Sequence, residues 1–122
     1  MRVKKKKKLV AWQKGRELAV LIYKTTKQFP KDELFGLTSQ MRRCSISIAS
    51  NLAEGSGRIS FKDKARFTEI AFSSSLELLN QVILSNDFEY INETEYIQIR
   101  EKISEVNMLI DGLYKSQKAN FK

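Results

Sequence analysis

The chain reads as an all-α protein, an antiparallel up-down-up-down left-handed four-helix bundle, and three observations lead there. One Pro and five Gly in 122 residues leave few helix breakers. Apolar residues recur at spacings of three and four along four long stretches, and no strand-like alternation competes with them. The breakers that do occur gather in three clusters between those stretches. Amphipathic helices of roughly 20 residues, each about 30 Å long and joined by short turns, close into a bundle of this kind. The length suits one domain and is too short for two.

The spacing predicts a first helix over about 9–27, with Ala11, Gly15, Leu18, Ala19 and Ile22 on one face. It must stop before Phe29 and Pro30, because a residue preceding proline is driven out of the helical region. A second helix is expected over about 34–55, ending at Gly55-Ser56-Gly57. Leu37, Met41, Cys44, Ile48 and Leu52 form one apolar stripe on it, while Ile46, Ala49 and Ala53 form another, so burial on two sides is expected. The third, about 60–84, opens at Ser60 with Asp63 three residues on and closes at Ser85-Asn86-Asp87. Phe61, Ala65, Thr68, Phe72, Leu76, Leu79 and Ile83 make one face of it, and Phe67, Ala71, Ser74, Leu78 and Val82 the next. Asn92 and Glu95 begin the fourth, about 92–117, along which Tyr96, Ile99, Ile103, Val106, Ile110 and Leu113 draw a bundle seam. Residues 1–8 are left as a basic flexible tail, 9–118 as the bundle and 119–122 as a short tail.

Charge and composition narrow the function. Lys plus Arg number 22 against 14 Asp plus Glu, a net charge of +8. Six of those cations fall in residues 1–8, which hold no acid. Residues 9–60 then carry eight cations and four acids, while residues 61–122 carry eight and ten. The absence of His removes the commonest general base and the commonest zinc ligand. A lone Cys44, on an apolar stripe, leaves no disulfide and no metal cluster and reads as a small core residue. These features argue against an enzyme and against any metal or cofactor, and no catalytic residue is assigned. The longest apolar run, Leu18 to Tyr23, is six residues, where a membrane span needs about 20. Gln13, Lys14, Arg16 and Glu17 interrupt what would otherwise imitate an export signal, so a cytoplasmic protein with no membrane partner is expected.

The most informative stretch is Arg42 to Arg58, RRCSISIASNLAEGSGR. At helical pitch Gln40, Arg43, Ser47, Asn51, Glu54 and Arg58 share one face beside the apolar stripes. The bland reading makes Gln40, Ser47, Asn51, Glu54 and Gly55 a structural polar motif that fixes helix register, with Glu54 pairing with a nearby Arg. The functional reading has Arg42, Arg43 and Arg58 engaging phosphate, which suits a planar guanidinium. A catalytic use of Asn51, Glu54 and Arg58 would need a second acid or base, for which Glu77 is the nearest candidate.

These residues also carry a resemblance. The segments WQKGRELAVLIYKTTKQFPKDELFGLTSQMRRCSISIASNLAEGSGR, residues 12–58, and IAFSSSLELLNQVI, residues 70–83, closely resemble the four-helix bundle family of proteins encoded in 23S ribosomal RNA intervening sequences. The family's pattern is met by Trp12, Tyr23, Phe29, Pro30, Lys31, Glu33, Gly36, Leu37, Thr38, Gln40, Arg42 and Arg43, and again by Ser47, Ile48, Asn51, Ala53, Glu54, Gly55 and Arg58. Ala49 stands where many members have Pro, and Ser73 where the third helix usually has Gly. The resemblance implies a left-handed bundle, a ring-forming homo-oligomer, with a pentamer expected, and no enzymatic activity. One branch of the family serves as the accessory protein of diversity-generating retroelements, so a reverse transcriptase is an implied alternative partner.

Lys4, Lys5, Lys6, Lys7 and Lys8 repel one another and sit badly at a helix N-terminus, where the dipole is already positive. Two readings stand, a solvated tail and a phosphate-binding arm. Trp12, Tyr23, Phe29, Phe61, Phe67 and Phe72 offer base-stacking surfaces, but their spacing favours core packing. The expected function is therefore binding of RNA or DNA through Arg42, Arg43, Arg58 and the lysine run. The alternative is a protein-protein adaptor.

Overall fold

The computed structural model describes residues 6–121. It holds four long helices and, among the described residues, no strand: α1 Lys6–Thr26, α2 Leu37–Ser56, α3 Phe61–Asp87 and α4 Glu93–Lys118. Helices α1 and α3 each pack against both α2 and α4, so the four surround one shared core of a four-helix bundle. Leu18 and Ile22 of α1, Met41 and Ile48 of α2, Leu78 and Val82 of α3, and Ile99, Ile103, Val106 and Ile110 of α4 are almost wholly inaccessible. Each side chain of this size contributes about 1.5–3 kcal/mol by leaving water.

The backbone of Lys6 to Lys8 already belongs to α1, three residues ahead of the expected start. The helix ends at Thr26, whose hydroxyl returns to the Ile22 carbonyl at 2.7 Å. A 3-10 turn at Lys31–Glu33 follows, and α2 begins at Leu37 because Glu33 acts as its cap from outside. Gly36, in the capping position, has no side chain, and the Leu37 amide donates instead to Glu33 Oε1 at 3.0 Å. The expected α2 stripe is buried throughout. In the second stripe Ile46 is exposed while Ala49 and Ala53 are half-buried.

Helix α3 departs most from expectation. It runs through Ser85, Asn86 and Asp87, because the Ser85 hydroxyl satisfies itself on the Gln81 carbonyl at 2.8 Å and nothing there breaks the helix. The chain turns only at Glu89, at a left-handed φ of 64°. Its buried face is Ala65, Thr68, Ala71, Ser75, Leu78, Gln81, Val82 and Ser85, while Phe72 and Leu76 of the expected face are 40% and 47% exposed. Small and hydroxylated residues occupy the helix contacts because their polar atoms find partners there. Thr68 donates to Gln117 Oε1 at 2.7 Å, Ser75 donates to Asn107 Oδ1, and Ser85 contacts Met41 Sδ at 3.3 Å.

Helix α4 follows the sequence reading closely. Asn92 and Glu95 form a reciprocal capping box, and Ile99, Ile103, Val106 and Ile110 are buried in register. At α3 the Ser60 hydroxyl accepts the Asp63 amide at 3.1 Å. Across the α1–α4 contact Lys102 pairs with Glu17 at 2.8 Å, which holds the Glu17 carboxyl below its ordinary range.

Candidate nucleic-acid interface

The polar face of α2 lies against α3. Ser47 and Ser74 share a hydrogen bond of 2.8 Å, and the Asn51 amide donates to the Ser47 carbonyl at 2.9 Å and to its hydroxyl at 3.1 Å. Glu54 accepts from Arg58 Nη2 at 2.9 Å. A Cβ on Gly55 would stand 3.0 Å from Phe67 Cβ and 3.3 Å from the Lys64 carbonyl, so the missing side chain lets α2 and α3 approach. Gln40 and Arg43 line an open groove between these helices, with Cys44, Ser47, Ser74 and Glu77 completing it. Burial pushes the Cys44 thiol above its ordinary pKa, leaving it protonated and a poor nucleophile, while Gln81 Nε2 lies 3.5 Å from its sulfur. Among the described residues no group of three or more His, Cys, Asp or Glu is placed to hold a metal ion. No described helix is long and apolar enough to cross a membrane.

The three arginines are not gathered into one site. Arg42 is turned onto α1, where its Nε donates to Thr26 Oγ1 at 2.9 Å and its guanidinium covers the Tyr23 ring at 4.7 Å. Arg43 is exposed at the groove. Arg58 lies just past the end of α2 at Ser56, which is about 21 Å along the axis from Arg42 at 1.5 Å per residue. Its guanidinium lies 4.5 Å from the Phe67 centroid, and Arg66 covers the same ring at 5.3 Å. Phe67 therefore contacts two guanidiniums, each of which also pairs with a carboxylate, Arg58 with Glu54 at 2.9 Å and Arg66 with Asp63 at 3.6 Å.

Arg66 was not singled out from sequence, although its signal was visible: Arg58, Lys62, Lys64 and Arg66 surround one aromatic at the start of a helix. Lys64 Nζ reaches the Ser56 carbonyl at 3.2 Å, while Lys62 is exposed. The Thr68–Gln117 bond brings the last turn of α4, with Lys115 and Lys118, to the same region. Lys4 and Lys5 lie outside the described residues, and Lys6 to Lys8 are placed by their helical backbone alone. Among the aromatics, Phe29 is buried, Trp12 packs on the core, Phe61 and Phe67 are half-buried, and Tyr23 and Phe72 are exposed, against the expectation of core packing for those two.

A core closed by apolar and small side chains, with Ser47 of the polar face of α2 bonded across to Ser74 of α3, defines a small four-helix bundle protein. The chain belongs to the 23S rRNA-intervening sequence protein family, whose model matches residues 7–112. It is similar to a crystal structure from Bacteroides thetaiotaomicron of a protein with unknown function from the S23 ribosomal protein family. The two share 27% identity over 89% of this chain and 98% of that one, with a TM-score of 0.82. A search of curated proteins finds no match.

Proposed function

We propose that this protein is a non-enzymatic, oligomeric binder of RNA that uses one basic end of its bundle. The observation that carries the reading is the pair of guanidinium forks on Phe67, at 4.5 and 5.3 Å. An up-down-up-down order with a left-handed twist would place the start of α1, with the lysine run, at this same end. Support for that order comes from the helix contacts. Partners step backward on α3 as they step forward on α2, from Met41 with Ser85 to Cys44 with Gln81 to Ser47 with Ser74.

A strand of phosphates laid across this end meets Arg58, Lys62, Arg66, Lys115 and Lys118. Arg42, committed to Thr26 and Tyr23, serves the α1–α2 contact in this reading. Oligomerisation, with a ring as the family expectation, is supported by the apolar line of Phe72, Leu76 and Ile83 left on the α3 surface.

The test is the affinity for a fluorescent single-stranded RNA across a salt series, using the full chain, a chain lacking residues 2–8, and Arg58→Ala with Arg66→Ala. The log-log salt slope is expected to fall by about 4 on truncation, at roughly 0.7 per phosphate contact, and by about 1 to 1.5 in the double variant. An Arg42→Ala variant is expected to leave the slope unchanged. Absence of binding by the full chain at low salt overturns the proposal.

A further inference from the structure

The loop after α1 and the turn between α3 and α4 meet at the end of the bundle where α1 finishes. Tyr90 joins them. Its hydroxyl donates to Glu33 Oε2 at 2.9 Å, and its ring centroid lies 5.3 Å from that of Phe29 and 5.6 Å from that of Phe88. Glu33 also accepts the Leu37 amide, so both loops are pinned. On this fixed base three large apolar side chains stand in water: Phe35 is 92% exposed, Phe88 53% and Leu34 51%. The core closes without them, and large apolar side chains gathered on pinned loops mark a contact site.

Carboxylates surround them. Asp32, Asp87, Glu89 and Glu93 are exposed, and none of them forms an ion pair among the described residues. Lys27 and Lys31 are the cations carried by these two loops. Glu89 stands at a left-handed φ of 64°, where the chain leaves α3 and the Tyr90 amide returns to the Ser85 carbonyl at 2.9 Å. Glycine takes such a position without penalty, so the carboxylate beside Phe88 is held there at a conformational cost.

Charge selects the occupant. The phosphates of a nucleic acid or of an anionic lipid surface are repelled by these carboxylates. A purely apolar segment would cover Phe35 and Phe88 but strip water from the neighbouring carboxylates without pairing them. A segment in which apolar side chains are interspersed with Lys or Arg satisfies both. We infer that this loop end is a docking surface for a basic, amphipathic segment of a different protein. Phe35 and Phe88 are its apolar anchors, and Asp32, Asp87, Glu89 and Glu93 hold the cations around them. Aromatic anchors inside a charged rim are the arrangement in which a few side chains carry most of the affinity. The surface lies apart from the basic end, and the inference does not rest on the RNA reading.

The experiment is fluorescence anisotropy of a labelled synthetic peptide of Leu-Lys-Lys-Leu repeats, titrated with the full chain across a salt series. In one control peptide serine replaces leucine, and in another glutamate replaces lysine. The net charge of +8 opposes attraction of a basic peptide to the rest of the chain, so its affinity reports on the acidic end. Two variants, Phe35→Ser/Phe88→Ser and Asp32→Asn/Asp87→Asn, alter exposed side chains, and circular dichroism checks that each is folded. The phenylalanine variant is expected to bind the peptide about tenfold more weakly or worse, as are both control peptides to the full chain. The asparagine variant is expected to bind several-fold more weakly, with a flatter salt dependence.

No binding of the basic peptide at low salt overturns the inference. So does unchanged affinity in the phenylalanine variant, or a glutamate peptide that binds as well as the lysine one. Light scattering is expected to give the phenylalanine variant the same particle mass as the full chain. A lower mass would make this face a contact between copies and overturn the inference. RNA affinity of the same variant, read in parallel, is expected to be unchanged, so failure of the RNA reading is distinguishable from failure of this one.

Discussion

Replacing glycine by alanine at three helical positions gives three different expected outcomes, and the spacing of neighbours decides each. At Gly112, in α4, an added Cβ meets nothing within 4 Å. The change there is governed by helix propensity and unfolded-chain entropy, together about 1 kcal/mol in favour of alanine. At Gly15 the new methyl would lie 3.6 Å from Ile48 Cγ2 and 3.7 Å from Ala49 Cα and Leu52 Cδ1, ordinary contact, so the same gain is kept. At Gly55 it would lie 3.0 Å from Phe67 Cβ and 3.3 Å from the Lys64 carbonyl. Neither atom is the free end of a flexible side chain, so α3 must retreat. Overpacking of this kind costs about 1–3 kcal/mol. Set against the propensity gain, Gly55→Ala is expected to lose about 1 kcal/mol net, leaving it about 2 kcal/mol below Gly112→Ala. Urea unfolding at one fixed protein concentration measures all three, and thermal midpoints should separate the extremes by about 8 °C. A Gly55→Ala protein as stable as Gly112→Ala would refute the close approach of α2 and α3 on which the Phe67 platform rests.

Three further outcomes follow from the same contacts. Ile48→Ala, at an inaccessible core position, should cost about 3 kcal/mol in urea unfolding. Asn51→Ala removes two bonds to Ser47 and should cost about 1 kcal/mol, while leaving the salt slope for RNA unchanged; a changed slope would move Asn51 from helix register to the ligand. The Leu37 amide and then the Tyr90 hydroxyl hold the Glu33 carboxyl below its ordinary range. Its contribution is therefore present above the unfolded value near 4.3 and lost as pH falls through the lower folded value. Unfolding midpoints measured from about pH 6 down to pH 3 should decline less for Glu33→Gln than for the unaltered chain.

Helix number and the identity of most core residues were legible because apolar spacing and caps are local signals. Asn92 with Glu95, Phe29 with Pro30, and the Leu37 to Leu52 stripe each act within one or two turns. Helix α3 was misread on one face because its apolar side chains lie in two stripes one residue apart, and periodicity cannot say which is covered. The choice is made by Gln117, Asn107 and Met41, which give Thr68, Ser75 and Ser85 their partners. The arginines were misleading for a related reason. Arg42 and Arg43 are adjacent in sequence, yet only the approach of Tyr23 and Thr26 from α1 turns the first of them inward. That Arg58 and Arg66 share the Phe67 ring depends on a contact across the α2–α3 turn that the Gly55-Ser56-Gly57 cluster only hints at.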